Sequence, residues 1–158
     1  MQHLTAAPIW VWPLFFILLA VGLRGLWPRE VPVAAAFALP LMGLIGINSI
    51  ASLSPNAAVW LLYGAAFLGS AVQAAHAAPK LIEWHRGSRV RLRGEAMTLV
   101  CVMVLFWANY AVGLTQAIRP DLLMIPGVTA GFAVLVGAAS GQFMGRAFGI
   151  VRHTRRQD

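Results

Sequence analysis

VPVAAAFALPLMGLIGINSIASLSPNAAVWLLYGAAFLGSAVQAAHAAP, residues 31–79, contains no lysine, arginine, aspartate or glutamate. A helix needs about 20 predominantly apolar residues to cross the hydrocarbon core of a bilayer. The run from Val31 to Pro79 is therefore too long for one span and suits two. The break falls at Ser52-Leu53-Ser54-Pro55-Asn56. There Ser54 can cap a helix and Pro55 can take its first position, where a missing N–H costs nothing. These signals predict a second span at about 32–51, kinked at Pro40, and a third at about 55–78.

On the N-terminal side, Pro8 to Leu23 is apolar and extends to about Trp27, giving a first span over about 8–27. Trp10, Trp12 and Trp27 sit near its ends, as aromatic side chains do in the headgroup belt. Met1 to Leu23 holds no lysine or arginine, so the positively charged start of a cleavable signal peptide is missing. On the C-terminal side, Lys80 to Glu95 is a polar interruption. Ile82-Glu83-Trp84 and Val90-Arg91-Leu92 alternate in character around the turn residues His85 to Arg89, which predicts a short β-hairpin at about 81–93 lying on the membrane surface. An irregular basic loop is the other reading. A fourth span follows at about 96–118, closed by Arg119-Pro120-Asp121. A fifth runs over about 126–151 into a basic tail. The expected fold is all-α and integral to the membrane: one domain, a bundle of five transmembrane helices, with a short cytoplasmic β-hairpin between the third and fourth.

Composition agrees. Hydrophobic residues make up 59% of the chain and charged ones 11%, against roughly a quarter charged in a soluble domain. Too few charges remain to build a water-facing surface, and lipid removes the need for one. The net charge of +7 would point to nucleic acid in a soluble protein. Here the arginines cluster beside apolar segments, where they set orientation and meet anionic headgroups, so the expected partners are the lipid bilayer and another membrane protein or a second copy of the chain. With five spans, the loop after the first, the hairpin and the tail share one side, and of the 12 lysines and arginines only Arg119 lies on the other. Positively charged loops stay in the cytoplasm. The N-terminus is thus expected outside and the C-terminus inside, in a bacterial inner membrane. Arg86, Arg89, Arg91, Arg93, Arg152, Arg155 and Arg156 are the expected lipid or partner contacts.

Four glycines of the fifth span, Gly137, Gly141, Gly145 and Gly149, recur every four residues and lay a smooth groove along one helix face. Ala66, Ser70, Ala74 and Ala78 offer a small-residue stripe on the third span. The glycine face packs either within the chain or between two copies. Polar groups fall in two layers: Asn48, Tyr63, Asn109 and Tyr110 towards the outside, and Ser70, Gln73, His76, Ser140, Gln142 and Arg146 towards the cytoplasm. Such groups are costly in lipid unless paired. Asn48, Gln73, His76, Asn109 and Gln142 make a candidate polar interior, either as interhelical hydrogen bonds or as the lining of a small oligomeric transporter or channel.

His76 could ligate haem or a metal, but no other span carries a histidine to complete a pair. A hydrogen bond to Gln142 is the simpler expectation, and no cofactor is expected. Cys101 stands alone, so no intramolecular disulfide forms. Nucleotide-binding, metalloprotease and serine-hydrolase motifs are absent, and no pair of carboxylates lies within the spans. Glu83 and Glu95 flank the hairpin and offset neighbouring arginines. The sequence therefore predicts a non-enzymatic structural or interaction component of the membrane.

In the order of its parts the chain resembles small bacterial membrane proteins of the CcdC type and a related domain-of-unknown-function family. The likeness rests on the basic turn from Arg24 to Arg29, the proline-led second span (Pro32, Pro40), the surface hairpin from Leu81 to Arg93, and a last helix ending in a basic tail. It implies a multipass membrane protein close to cytochrome c maturation and carries no activity with it. Those proteins hold a basic residue within the fourth helix, where this chain has Trp107 and Asn109.

Overall fold

The computed structural model describes residues 11–32, 46–48, 50–53, 56–86 and 89–154. Its elements are α1 (Val11–Arg24), β1 (Arg29–Pro32), α2 (Ala57–Ala77) running into a 3-10 turn (Ala78–Leu81), β2 (Ile82–Arg86), β3 (Arg89–Leu92), α3 (Met97–Ile118), a second 3-10 turn (Pro120–Met124), and α4 (Pro126–Thr154). Most of the expected second span lies outside the described residues, which show helix only at 46–48 and 50–52. Three helices are long and apolar enough to cross a membrane: α2 with its turn (Ala57–Leu81, 25 residues), α3 (22 residues) and α4 (29 residues), whereas α1 is apolar but shorter.

α2 begins because Asn56, in an extended conformation, accepts a hydrogen bond from the Val59 amide at 3.1 Å and so satisfies one of the orphan donors of the first turn. The cap is Asn56 rather than Ser54, and Ser54 and Pro55 lie outside the described residues. α3 ends at Arg119, whose backbone N–H closes onto Thr115 before Pro120 forbids another helical turn.

α4 is the hub. α2 packs along it more extensively than any other pair of elements, α3 packs on it less closely, and α1 rests on α3. The α2–α4 seam is built on the four glycines. A Cβ placed at Gly137 would lie 2.6 Å from the Tyr63 carbonyl oxygen, and one at Gly149 would lie 2.8 Å from the Ala75 carbonyl. At Gly141 and Gly145 it would run closer still, into the Phe67 and Ala71 carbonyls. Partner numbers rise with glycine numbers, so α2 and α4 run parallel. The facing row on α2 is Tyr63, Phe67, Ala71 and Ala75. The expected stripe is offset from it, with Ser70 and Ala78 touching the same glycines from one side. Backbone carbonyls rather than small side chains fill the groove, which is why two large aromatic residues fit the row.

α1 and α3 run antiparallel, with Gly22 against Leu99 at one end and Phe15 against Phe106 at the other. The chain direction alternates from α2 through α3 to α4. One end of the bundle therefore collects the exits of α1, α2 and α4, the entry of α3, and the strands.

The strands differ from the expected two. β1 joins the hairpin to give a three-stranded antiparallel sheet in the order β1-β3-β2. Arg29 pairs with Leu92, Glu30 with Arg91 and Val31 with Val90, while Ile82 and Trp84 pair with Leu92 and Arg91 across an irregular step. That step leaves Glu83 as the extra residue, and it meets Arg91 at 3.1 Å. Both side chains are partly exposed, so the pair contributes at most about 1 kcal/mol. Pro32, which cannot donate a ladder hydrogen bond, closes an edge strand where that loss is tolerated. Val90 is fully buried and clusters with Ala78 and Ile150, seating the sheet on the ends of α2 and α4.

Gly94 joins the sheet to the bundle. A Cβ there would collide with the Leu26 carbonyl, and the next residue, Glu95, donates its amide to the Gly25 carbonyl at 2.8 Å. Gly94→Ala is expected to destabilise the protein by about 1–3 kcal/mol, because the obstruction is backbone. Gly113, with nothing within 4 Å of its would-be Cβ, is the matched control: Gly113→Ala is expected to be neutral or stabilising. Thermal unfolding in detergent compares the two, and equal midpoints would refute the close approach at Gly94.

Candidate functional site

The polar side chains singled out in the sequence do not meet in one place. Gln142, buried on α4, donates to Gln73 on α2 at 3.1 Å. His76 bonds the Val72 carbonyl of its own helix at 2.7 Å rather than Gln142, which is already engaged by Gln73. Asn109 donates to the Leu105 carbonyl at 2.7 Å, again within its own helix. Asn48 is exposed. The buried hydroxyls of Tyr63 and Ser140 lack a hydrogen-bond partner among the described residues. No group of three or more histidine, cysteine, aspartate or glutamate side chains among the described residues could hold a metal ion.

Charge converges instead at the sheet end. Arg146, three residues past the Phe143 side chain in the core, reaches from α4 to the Glu95 carboxylate and donates to the Thr98 hydroxyl at 3.0 Å. Relative exposures of 13% for Arg146 and 23% for Glu95 mark this as a largely enclosed ion pair. Thr98 is buried beside it in the first turn of α3. Two charges withdrawn from water need good geometry and further hydrogen bonds to offset desolvation, and Thr98 supplies one of those bonds.

Around this pair lies a cavity of about 70 Å³ between sheet and bundle, whose polar lining includes Arg29, Arg93, Glu95, Thr98 and Arg146. Three guanidinium groups thus face one carboxylate. Arg29 is held below its ordinary range, first by burial and then by repulsion from Arg24, with Glu95 acting in the opposite direction and Arg146 adding further repulsion. On the other side of Arg29 an open groove of about 760 Å³ runs between the last turns of α1 and the sheet.

Of the expected lipid or partner contacts, Arg89, Arg91, Arg93 and Arg152 are exposed at this end. Arg155, Arg156 and the side chain of Arg86 lie outside the described residues. The sequence did not single out Arg29, nor join Glu95 to Arg146. β1 carries no alternating signal of its own, because Arg29-Glu30-Val31-Pro32 reads as two charged residues followed by two apolar ones. The Glu95–Arg146 pair carries no local signal, because 51 positions separate its members. Comparison with family models, with curated proteins and with solved structures returns no match.

Proposed function

We propose that the chain is an integral protein of the bacterial inner membrane with five spans, its N-terminus outside and its C-terminus in the cytoplasm. It acts without catalysis, as a structural or interaction component, and its basic sheet end is the cytoplasmic working face. The observation that carries this reading is the division of the surface. Phe16, Ile17, Leu61, Leu68, Trp107 and Leu135 stand exposed along the four helices, while all but one of the described lysines and arginines gather at the sheet end. Exposed apolar faces of that extent are stable when lipid covers them, and the charge bias gives the direction of insertion. The parallel run of α2 and α4 agrees, since the third and fifth of five spans cross in the same sense.

The competing reading, an oligomeric transporter or channel, needs a continuous polar lining. Gln142 donates to Gln73, and His76 and Asn109 each bond a carbonyl of their own helix, which supports a packed interior instead. Single cysteines at Asn109 and Gln142, in a Cys101→Ala background, test the choice. Both are expected to stay unlabelled by a membrane-impermeant maleimide added from either side. Labelling of Gln142→Cys or Asn109→Cys would establish a water-filled path and overturn the packed reading.

A further inference from the structure

The groove beside Arg29 joins two kinds of wall. Ala20, Leu23 and Trp27, on α1 and its exit turn, give it an apolar side, and Arg24, Arg29 and Arg91 give it a cationic one. Glu30 is the acidic residue on its rim, opposite Arg91 in the sheet register. Arg91 already has Glu83 as a partner. Among the described residues, neither Arg24 nor Arg29 has a carboxylate within ion-pair distance. Two guanidinium groups close enough to repel each other thus stand without an ion-pair partner among the described residues, at the end of an apolar helix. The groove, at about 760 Å³, is open on one side and large enough to admit a headgroup.

We propose that this groove binds one anionic phospholipid, its phosphate held between Arg24 and Arg29 and an acyl chain lying along Ala20 and Leu23. Charge complementarity selects the occupant. Guanidinium groups match phosphate oxygens in a planar, bidentate geometry, and the apolar wall leads towards the bilayer. A zwitterionic lipid gains less, because its own ammonium competes for the phosphate. A free phosphate leaves the apolar wall uncovered. The inference rests on the membrane reading above and places a specific lipid site within it.

The test is lipid retention by the purified full-length protein in detergent, read by native mass spectrometry. Phosphatidylglycerol, phosphatidylcholine and inorganic phosphate are titrated separately. Phosphatidylglycerol is expected to bind about tenfold or more tightly than phosphatidylcholine, and inorganic phosphate to compete only weakly. R24Q/R29Q is expected to lose phosphatidylglycerol affinity by about ten- to thirty-fold, from about 1 kcal/mol for each arginine removed. R119Q, at the far end of the bundle, should keep it. Equal retention of the two lipids by the unaltered protein overturns the proposal, with no need for a variant that folds. So does unchanged phosphatidylglycerol binding in R24Q/R29Q, which would place the lipid elsewhere. Displacement of lipid by inorganic phosphate at equal concentration would make this a soluble-anion site. Failure of the membrane reading is separate: it would show as a chain extracted from membranes by alkaline carbonate.

Discussion

Gly145→Val is expected to abolish the folded bundle, and Gly145→Ala to lower its thermal midpoint in detergent. A Cβ on Gly145 meets the Ala71 carbonyl oxygen and comes within 2.7 Å of the Ala71 Cα. These are atoms of the facing helix backbone, so no rotamer change relieves the clash and the two helices must separate. Overpacking of this kind costs about 1–3 kcal/mol for the first added carbon. The gain in helix propensity from glycine to alanine, about 1 kcal/mol, offsets only part of it. Gly131 lies on the same helix with nothing within 4 Å of its would-be Cβ, and there the propensity term acts alone. Gly131→Ala is therefore expected to hold or raise the midpoint. If Gly145→Ala and Gly131→Ala behave alike, the α2–α4 seam is not as close as described. In the membrane reading proposed above the helices lack a hydrophobic drive to associate, so the seam depends on short backbone separations and is sensitive to one carbon.

The second large effect is expected at the enclosed ion pair. Glu95→Gln leaves the Arg146 guanidinium against Thr98 without a counter-charge, inside a lining that already holds Arg29 and Arg93. Breaking a buried pair in this way costs about 3 kcal/mol, the lower end of the usual range because both groups keep some exposure. Arg146→Gln is expected to cost a similar amount. The double variant E95Q/R146Q should be less destabilised than the sum of the two singles, since it removes the Arg146 charge that Glu95→Gln leaves uncompensated and the two amides can bond each other. Arg119, paired with Asp121 at 3.3 Å with both side chains more than half exposed, sets the scale: Arg119→Gln is expected to change stability by about 1 kcal/mol or less. Chemical or thermal unfolding of the unaltered protein, the two singles and the double gives the coupling directly, with Arg119→Gln as the reference. Strict additivity of Glu95→Gln and Arg146→Gln would mean that the two side chains act independently.

Much of the helical architecture is legible in the sequence because lipid-scale apolar runs are long and charges interrupt them at few places. α3 begins where the charges of Arg93 and Glu95 end and stops where Arg119-Pro120 forbids it to continue. The glycine spacing is equally plain, since a period of four marks one helix face whatever that face touches. What it touches is not legible. The stripe of Ala66, Ser70, Ala74 and Ala78 looked like the natural mate by size, yet the glycines seat on the carbonyls of the neighbouring row. Size matching reads side chains, whereas a groove this shallow selects for backbone. β1 is hidden for a related reason: four residues beside a helix end offer too short a pattern to outweigh the basic-turn reading, and the strand pairs with residues 57 or more positions away. The Glu95–Arg146 pair is likewise a product of tertiary placement. The depth layers did bring Gln73 and Gln142 together, but not His76, whose nearest acceptor was always its own helix.

The most direct measurement is topology mapping with paired reporters, alkaline phosphatase active only outside and green fluorescent protein only in the cytoplasm. Fusions are placed at Asn56, Gly87, Asp121 and the C-terminus. Fluorescence at Gly87 and the C-terminus, with phosphatase activity at Asn56 and Asp121, is the expected result. It would put the sheet, the Arg24–Arg29 groove and the Arg146–Glu95 pair on the cytoplasmic face of a five-span bundle. Opposite reporters at Gly87 and the C-terminus would contradict the parallel crossing of α2 and α4, and with it the shared basic end on which the functional reading stands.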